Sequence, residues 1–260
     1  ESLAPIVAMA RDGWHIAVVH GNGPQIGDDL HRNEMARGEM PPLPLGVLVA
    51  GTAGWIGYMI QQSLQNALER AGVERDVVTV ITQVLVDPDD AATTEPVKPI
   101  GRDSYRRLVP SPVPIDIVER EQIKRLIAGG TIVIAAGGGG TPVYRHPQLK
   151  LEGIDAVIDK DRAAAVLAHA IDAEVLLILT NVDGVYTGWG SEQQQLHARL
   201  TVSDAEALLQ SAEFGKGSMA PKVEAALSFV QAGGAKAMIA RLDQGLDALN
   251  GRAGTTIESS

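Results

Sequence analysis

The stretch WHIAVVHGNGPQIG, residues 14–27, places an apolar and partly β-branched run directly before a turn of glycine, asparagine and proline. A short continuous apolar run is typical of a strand that is buried on both faces. A helical pattern follows the turn over about 25–37, and Gly38 comes after it, as is common where a helix ends. The stretch therefore predicts a buried strand, a tight turn and a helix.

The same alternation continues along the chain, and Gly72, Gly129 and Gly233 follow later helical patterns. The predicted strands span residues 14–20, 76–87, 131–136, 174–180 and 236–240. The predicted helices span about 25–37, 52–71, 116–128, 161–171, 203–212 and 219–233. Apolar strands alternating with helices predict an α/β fold with a mostly parallel sheet between layers of helices.

Two segments break this rhythm. Residues 88–114 are rich in proline, charge and turn-forming residues, which predicts an excursion from the sheet as a small lobe. Residues 187–200 are polar and have no apolar period, which predicts a loop. The two halves of the chain meet at about 110–115, and Asp116 is predicted to begin a helix there.

Composition limits the class of protein. The 260 residues carry a net charge of −10 with a pI near 5.0, and only 3% are aromatic. We therefore expect a core of Val, Ile, Leu and Ala, and no nucleic-acid or membrane surface as partner. The sequence has no cysteine, which favours a reducing compartment and leads us to expect a cytoplasmic protein. No signal peptide is visible in the sequence.

Glycine-rich turns recur after apolar runs, at Gly21–Gly23, at Gly51–Gly54 and at Gly137–Gly140. Glycine lets backbone N–H groups converge on an anion, and a following helix N-terminus adds its dipole. A single glycine turn is most simply a turn. Four consecutive glycines are harder to explain in that way, because the run is entropically costly unless side chains must be absent. Neither a P-loop nor a dinucleotide-binding glycine motif is present.

Two lysines stand at predicted helix starts. Lys160 lies between Asp159 and Asp161, and these carboxylates are interpreted equally well as helix caps or as partners of a phosphate-binding cation. Lys222 follows Ser218, the expected N-cap, and has the wrong sign for the helix dipole. That local cost favours a nearby anion, whereas the simpler interpretation is a solvated surface lysine.

Two further patterns have no specific chemistry by themselves. Asn181-Val-Asp-Gly184 ends an apolar strand and is an ordinary turn sequence. The six histidines show no spacing with carboxylates that indicates a metal site, and they are interpreted as surface or core residues. They are His15, His20, His31, His146, His169 and His197.

Taken together, these stretches resemble the carbamate kinases of the amino-acid-kinase superfamily, and the matching motifs occur in the family's order along nearly the whole chain. The motifs are HGNGPQIG, KPIG, VPSPVPIDIVE, GGGGTPV, GIDAVIDKD, LTNVDGVY and GSMAPKVEAA. The resemblance implies a single domain over residues 1–260 with a three-layer α/β/α sandwich, a mainly parallel central sheet and a small protruding subdomain at 88–109. It places the carbamate and phosphoryl half at about 1–115 and the nucleotide half at about 116–260.

The activity implied by the resemblance is reversible phosphoryl transfer between ATP and carbamate, giving ADP and carbamoyl phosphate with Mg²⁺. The family commonly uses it for ATP synthesis in the catabolism of arginine or other carbamoyl compounds, and homodimers are usual. Lys98, Lys160, Asp161 and Lys222 are implied as catalytic, with Asp161 also as a metal ligand. The implied substrate-binding residues are Gly21, Asn22, Gly23, Gly138 and Gly139. The implied nucleotide-binding residues are Thr180, Asn181, Val182, Asp183, Tyr186, Met219 and Lys222.

The chain departs from the family pattern in three places. Nothing in it matches the family's opening strand, which ends in Gly-Gly-Asn. The segment between Gly101 and Arg106 is shorter than usual, and Ala53 stands where the family usually has glutamine. Two alternatives therefore stay open: a kinase of another small carboxylate or phosphonate, and a member of the fold that binds a nucleotide without turnover.

Overall fold

The computed structural model describes residues 3–94, 109–211, 214 and 219–259. The chain divides into two compact units. What we call the N-terminal unit consists of Ile16–Gln65 and Asp76–Ala163. The C-terminal unit consists of Glu1–His15, Asn66–Arg75 and Ala164–Ser260.

The described helices and strands alternate along much of the chain, as the sequence predicts. The helices are α1 (Ala4–Arg11), α2 (Gly23–Met35), α3 (Leu45–Arg70), α4 (Ala91–Thr94), α5 (Arg120–Ala128), α6 (Lys160–Ala170), α7 (Val202–Gln210), α8 (Met219–Gln231) and α9 (Gly245–Leu249). The strands are β1 (Ala17–Val18), β2 (Val77–Thr79), β3 (Gln83–Val86), β4 (Pro114–Ile117), β5 (Ile132–Ile134), β6 (Thr141–His146), β7 (Lys150–Gly153), β8 (Val175–Thr180), β9 (Val185–Thr187), β10 (Gln195–His197), β11 (Arg199–Thr201), β12 (Lys236–Arg241) and β13 (Thr255–Glu258).

The N-terminal unit contains a three-stranded parallel sheet in the order β1–β5–β2. All three residues of the central strand β5 are buried, as its continuous apolar sequence predicts. Val18 pairs with Ile134, so β1 and β5 end side by side. The segments that leave these two strands therefore begin at the same edge of the sheet.

A second sheet in the same unit has the order β4–β3–β6–β7, in which β3 and β6 are parallel and the outer strands are antiparallel. The single strand predicted over 76–87 is wrong, because β2 and β3 belong to different sheets. Thr82 lies at the break, where its hydroxyl donates to the Val80 carbonyl at 2.9 Å and accepts from the Ala136 N–H at 2.9 Å.

The C-terminal unit is built on a four-stranded sheet in the order β11–β13–β12–β8. Strand β12 is parallel to β8 along its whole length, so that Arg241 pairs with Thr180 at their carboxyl ends. The short antiparallel pair β9–β10 forms a separate ribbon. The helix α8 contributes much of the core of this unit, which includes the buried residues Val223, Leu227, Phe229, Ile239 and Ile257.

The α/β class predicted from the alternation is confirmed, and the buried side chains are mainly Val, Ile, Leu and Ala, as expected. Three local predictions are wrong. Asp116 lies in β4 and α5 begins at Arg120, because the alternating sequence Pro-Ile-Asp-Ile pairs with β3. Residues 51–54 are inside α3 instead of in a turn. The segment 187–200 contains β10, a polar strand without an apolar face.

Most of the predicted protruding segment, residues 95–108, lies outside the described residues. The residues at its base are tied together by Asp90, whose carboxylate accepts from the N–H groups of Ala92 and Val113 at 2.8 and 2.9 Å. These bonds hold the pKa of Asp90 below its ordinary value. Among the helices in the described part of the chain, we find none with the length and apolar character needed to span a bilayer.

Helix α3 approaches β2 closely at Gly57. A β-carbon built on Gly57 would lie 2.3 Å from Cγ2 of Thr79, well inside van der Waals contact. Gly51 lies in the same helix, and a β-carbon there would meet no described atom within 4 Å. Glycine is therefore required by packing at the first position and costs helix stability without a packing benefit at the second.

We expect Gly57→Ala to lower the free energy of unfolding by about 1–3 kcal/mol, because the added methyl group overpacks the contact with β2. The matched change Gly51→Ala should raise it by about 1 kcal/mol through helix propensity alone. Urea unfolding followed by circular dichroism measures both. An unchanged or increased stability of Gly57→Ala would show that α3 does not approach the strand this closely.

Candidate active site

Two loops leave the parallel sheet of the N-terminal unit side by side. One runs from the end of β1 through His20, Gly21 and Asn22 into α2. The other follows β5 and contains Gly137–Gly140. The Gly138 N–H donates to the His20 carbonyl at 2.7 Å, which joins the two loops directly.

The second loop has no room for side chains. A β-carbon on Gly138 would lie 2.2 Å from Nδ2 of Asn22, and one on Gly137 would lie 2.5 Å from Nε2 of His20. Gly138 also has a φ of +67°, which side-chain-bearing residues rarely adopt. Close contact with the first loop thus explains Gly137 and Gly138. A β-carbon on Gly139 would instead lie 2.2 Å from the Ile158 carbonyl oxygen, and one on Gly140 would lie 2.3 Å from Cγ2 of Val84.

Asn22 is buried at the base of α2, with 4% of its surface exposed. Its Nδ2 donates to Oγ1 of Thr52 at 2.8 Å, and the Thr52 hydroxyl donates to the Val49 carbonyl at 2.8 Å. This chain of hydrogen bonds connects the first loop to α3. No sequence pattern indicated a role for Thr52, because only the fold brings α3 next to this loop.

The Asp-Lys-Asp motif lies where α6 begins. Oδ1 of Asp159 accepts from the N–H groups of Asp161 and Arg162 at 2.9 and 3.0 Å, so Asp159 is a helix cap, as one of the two interpretations held. Nζ of Lys160 lies 3.1 Å from Oδ2 of Asp161. The Lys160 side chain is 43% exposed and that of Asp161 is 10% exposed, so the ammonium group is held in place while remaining accessible.

Lys160 also lies against the first loop. A β-carbon on Gly21 would be 3.0 Å from Cδ of Lys160. The structure therefore brings together three motifs that are far apart in the sequence, and we call them the glycine–lysine cluster. Its members are Gly21, Asn22, Gly23, Gly137, Gly138, Gly139, Gly140, Lys160 and Asp161.

The turn at Gly21 and Gly23 does not demand glycine for its dihedral angles, because neither residue has a positive φ. A β-carbon on Gly23 would meet no atom of the described residues within 4 Å, so the first residue of α2 has open space beside it. The space beside Gly21 is limited by Lys160.

His20 is the histidine that the sequence analysis treated as an ordinary surface or core residue. Its Nδ1 lies 3.1 Å from the Gly21 carbonyl oxygen, and its Nε2 is buried without a hydrogen-bond partner among the described residues. The ring lies where a side chain at Gly137 would otherwise be. His20 therefore belongs to the wall of the glycine–lysine cluster, a placement that its sequence context did not indicate.

A second group of polar side chains lies at the carboxyl ends of β8 and β12 in the C-terminal unit. Nη1 of Arg241 forms an ion pair with Oδ1 of Asp183 at 3.1 Å. The Tyr186 hydroxyl donates to Oδ2 of the same carboxylate at 3.2 Å. The Tyr186 ring contacts the Trp189 ring edge to face, with centroids 5.0 Å apart. We call Thr180–Tyr186, Trp189 and Arg241 the strand-end cluster.

Burial, and after it the hydrogen bond to Asp183, raises the pKa of Tyr186 above its ordinary value. The phenol therefore stays protonated at neutral pH and remains a hydrogen-bond donor. Arg241 also pairs with Asp243 through Nε at 2.7 Å. Neither Arg241 nor Trp189 was indicated by a sequence pattern, although Arg241 directly follows a predicted apolar strand and Trp189 lies in a polar segment. In the structure Trp189 is 61% exposed.

Of the remaining predicted residues, the structure describes Lys222 and Met219. Lys222 lies in α8 and is 7% exposed, so its side chain is buried and the solvated-lysine interpretation is wrong. Met219 is the first residue of α8 and packs against the core of the C-terminal unit. Lys98 and Ser218 lie outside the described residues, so their predicted roles stay predictions.

Known proteins are similar to this chain in sequence and in architecture. The sequence matches the amino acid kinase family over residues 1–241. It is 40% identical to a carbamate kinase of Pyrococcus horikoshii, over 99% of this chain and 88% of the relative. It is 42% identical to a carbamate kinase of Halobacterium salinarum, over 99% of this chain and 89% of the relative.

The structure is also similar to that of the carbamate kinase from Giardia lamblia bound to AMP-PNP. The TM-score is 0.92 at 38% identity, and the match covers 100% of this chain and 88% of the other. The chain therefore belongs to the amino acid kinase family, as one of its carbamate kinases, and the resemblance seen in its motifs is confirmed.

Proposed function

We propose that the protein transfers a phosphoryl group reversibly between ATP and carbamate, giving ADP and carbamoyl phosphate. The observation that carries the proposal is the glycine–lysine cluster. A four-glycine loop without side chains, a buried amide and an accessible lysine meet there at the carboxyl edge of a parallel sheet, where ligands of open α/β sheets bind. Such a set suits a small, doubly charged anion better than a larger or neutral ligand.

The proposed phosphoryl transfer needs few groups beyond those of the glycine–lysine cluster. A carbamate oxygen is already anionic, so the attack on a phosphoryl group requires no general base. The transition state spreads negative charge over the phosphoryl oxygens, and catalysis depends on positioning and on neutralising that charge. We assign this role to Lys160 and Lys222, with N–H groups of Gly21 and Gly23 as further donors and Asn22 beside them. The N–H groups of Gly138 and Gly139 donate to the carbonyls of His20 and Ala136, so we assign these two glycines to the lining of the substrate site. Asp161 orients Lys160 through their ion pair.

We assign nucleotide binding to the strand-end cluster together with Met219 and Lys222. In this cluster Thr180, Asn181 and Val182 form the end of β8 and the turn after it. Asp183 fixes this turn by pairing with both Arg241 and Tyr186. The flat faces of Tyr186 and Trp189 offer apolar surface of the kind on which a nucleotide base packs.

Mg²⁺ is the cofactor that this reaction calls for. In the described part of the chain no three His, Cys, Asp or Glu side chains are grouped as a metal cage. Mg²⁺ is commonly held by one or two carboxylates together with substrate phosphates and water. Asp161, with a side chain 10% exposed, fits that limited role. When bound, the ion would neutralise phosphate charge, and the lysines would act from the protein side.

The cellular role that we propose is ATP formation in the cytoplasm, at the end of the breakdown of arginine or another carbamoyl compound. The cysteine-free sequence suits a reducing compartment. The net charge of −10 is unfavourable for binding to nucleic acid or to an anionic membrane surface. Within the chain, we keep the assignment of residues 88–109 as a lobe that carries Lys98 towards the substrate.

We also propose a homodimer that forms through the exposed face of α3. Trp55, Tyr58 and Met59 have the spacing of one helix face and are 43%, 57% and 56% exposed. Ile81 lies beside this helix and is 44% exposed. Such a cluster of large apolar side chains on a protein surface is typical of an interface.

The first test is ATP formation from ADP and carbamoyl phosphate, with acetyl phosphate as the comparison substrate. Lys160→Met and Lys222→Met should each lower kcat by about a hundredfold or more, because a preorganised charge is lost from the transition state. Lys236→Met is the matched control, since Lys236 lies at the amino end of β12, away from the strand-end cluster. Normal turnover in folded Lys160→Met would contradict the assignment of Lys160. A preference for acetyl phosphate would indicate that the phosphoryl acceptor is a carboxylate other than carbamate.

Gly23→Ala tests the open space at the start of α2. The β-carbon meets no atom of the described residues within 4 Å, and alanine favours a helix over glycine. We therefore expect an unchanged or higher melting temperature together with a fall in kcat/KM for carbamoyl phosphate of tenfold or more. The added methyl group would keep the substrate away from the Gly23 N–H, and a donor in such a site is worth about 3 kcal/mol. If the folded variant kept its normal rate, no ligand would approach this residue.

The dimer is tested by light scattering after gel filtration. Tyr58→Asp should yield a monomer, because a charge in the middle of an apolar interface costs several kcal/mol unless it is paired. The control is Leu149→Asp, a change at a residue that is 63% exposed on the β6–β7 turn, and this variant should keep the mass of the dimer. A dimeric Tyr58→Asp protein would exclude this face of α3 as the interface.

A further inference from the structure

The side-chain amide of Asn22 has its orientation fixed by α3. Asn22 and Thr52 are 4% and 0% exposed, so neither side chain can rely on solvent for hydrogen bonding. The Asn22 Nδ2 to Thr52 Oγ1 distance is 2.8 Å, and the Thr52 Oγ1 to Val49 carbonyl distance is also 2.8 Å. Both distances are those of well-formed hydrogen bonds.

The Thr52 hydroxyl determines which end of the Asn22 side-chain amide forms a hydrogen bond with it. A hydroxyl group has one proton, and that of Thr52 is donated to the Val49 carbonyl, which can only accept. Towards Asn22 the Thr52 oxygen must therefore accept, so it selects the NH₂ end of the amide over the carbonyl end. The backbone of α3 thus determines, through one hydroxyl, how Asn22 presents its donors and its acceptor.

The opposite side of the amide is equally constrained. A β-carbon on Gly138 would lie 2.2 Å from Nδ2 and 2.6 Å from Oδ1 of Asn22. The amide plane is thus packed against the backbone of the four-glycine loop and cannot swing away from Thr52 into that space. One N–H of Nδ2 is used by Thr52, which leaves the second N–H for a further acceptor.

We propose that Thr52 is a positioning residue for phosphoryl transfer, which holds Asn22 so that its second N–H faces the oxygen of the anionic substrate. This inference rests on the proposed function, in which Asn22 contacts carbamate or the transferred phosphoryl group. A donor must lie within a few tenths of an ångström of its place to act on the transition state. A freely rotating Asn22 would present its carbonyl oxygen, which repels an anion, for part of the time.

Two substitutions separate the hydroxyl from the volume of the side chain. Thr52→Val keeps the shape of threonine but removes both hydrogen bonds, and Thr52→Ser keeps the hydroxyl while removing one methyl group. Thr79→Val is the matched control in the same unit, because the Thr79 hydroxyl is buried without a hydrogen-bond partner among the described residues. Circular dichroism and melting temperatures show whether each variant is folded.

The experiment measures kcat and KM for carbamoyl phosphate and for ADP in these variants, in Asn22→Ala, and in the double variant Asn22→Ala/Thr52→Val. We expect Thr52→Val to lower kcat about tenfold or more, as the loss of a hydrogen bond in a buried site implies, with the KM for ADP unchanged. Thr52→Ser should stay within about twofold of the wild type. The double variant should be no slower than Asn22→Ala, since both changes remove one interaction.

The result that overturns the proposal is a folded Thr52→Val protein with normal kcat when Asn22→Ala is impaired. The proposal would also be overturned if the losses in kcat from the two changes were independent in the double variant, or if Thr79→Val lost as much kcat as Thr52→Val. A wild-type protein without carbamoyl-phosphate-dependent ATP formation would instead refute the proposed function.

A second measurement tests the hydrogen bond without any activity. The side-chain amide protons of Asn22 are identified by NMR from the signals that disappear in Asn22→Ala. One of them should exchange slowly with solvent in the wild type and in Thr52→Ser, and rapidly in Thr52→Val. Equal exchange in wild type and Thr52→Val would show that Thr52 does not orient the amide.

Discussion

The hydrogen bond from the Gly138 N–H to the His20 carbonyl is the contact on which the N-terminal unit's site depends. It exists because β1 and β5 are neighbouring parallel strands that end at the same edge, so that both loops start together. It also forces the loops so close that a side chain at Gly137 or Gly138 would overlap His20 or Asn22. The close contact between the two loops therefore explains why glycine stands at these two positions.

The position of Lys160 follows from the same edge of the sheet. A lysine in the first turn of a helix is unfavourable for the helix dipole. Asp159 offsets this cost by capping α6 through two backbone N–H groups, and Asp161 pairs with the lysine. The motif thus contains both of the roles that its sequence left open: one carboxylate stabilises the helix and the other holds the cation against the loop at Gly21.

In the C-terminal unit, polar groups again lie at the carboxyl ends of parallel strands, but here they are charged side chains instead of backbone groups. Thr180 and Arg241 are paired at the ends of β8 and β12, and Arg241 reaches Asp183 in the turn that follows β8. Asp183 in turn binds the Tyr186 hydroxyl. A turn made of ordinary residues is thereby fixed in one shape.

The sequence by itself determined the alternation of strands and helices, the α/β class, the glycine loops and the Asp-Lys-Asp motif, because each depends on local periodicity or on residues adjacent in the chain. Strand β4 was mistaken for a helix start and 51–54 for a turn, since short segments take their conformation from the neighbours they pair or pack with. The roles of His20, Thr52 and Arg241 were decided only by the tertiary structure. Their partners come from other elements or lie beyond a turn, and no local pattern records which strand ends and helix faces will meet.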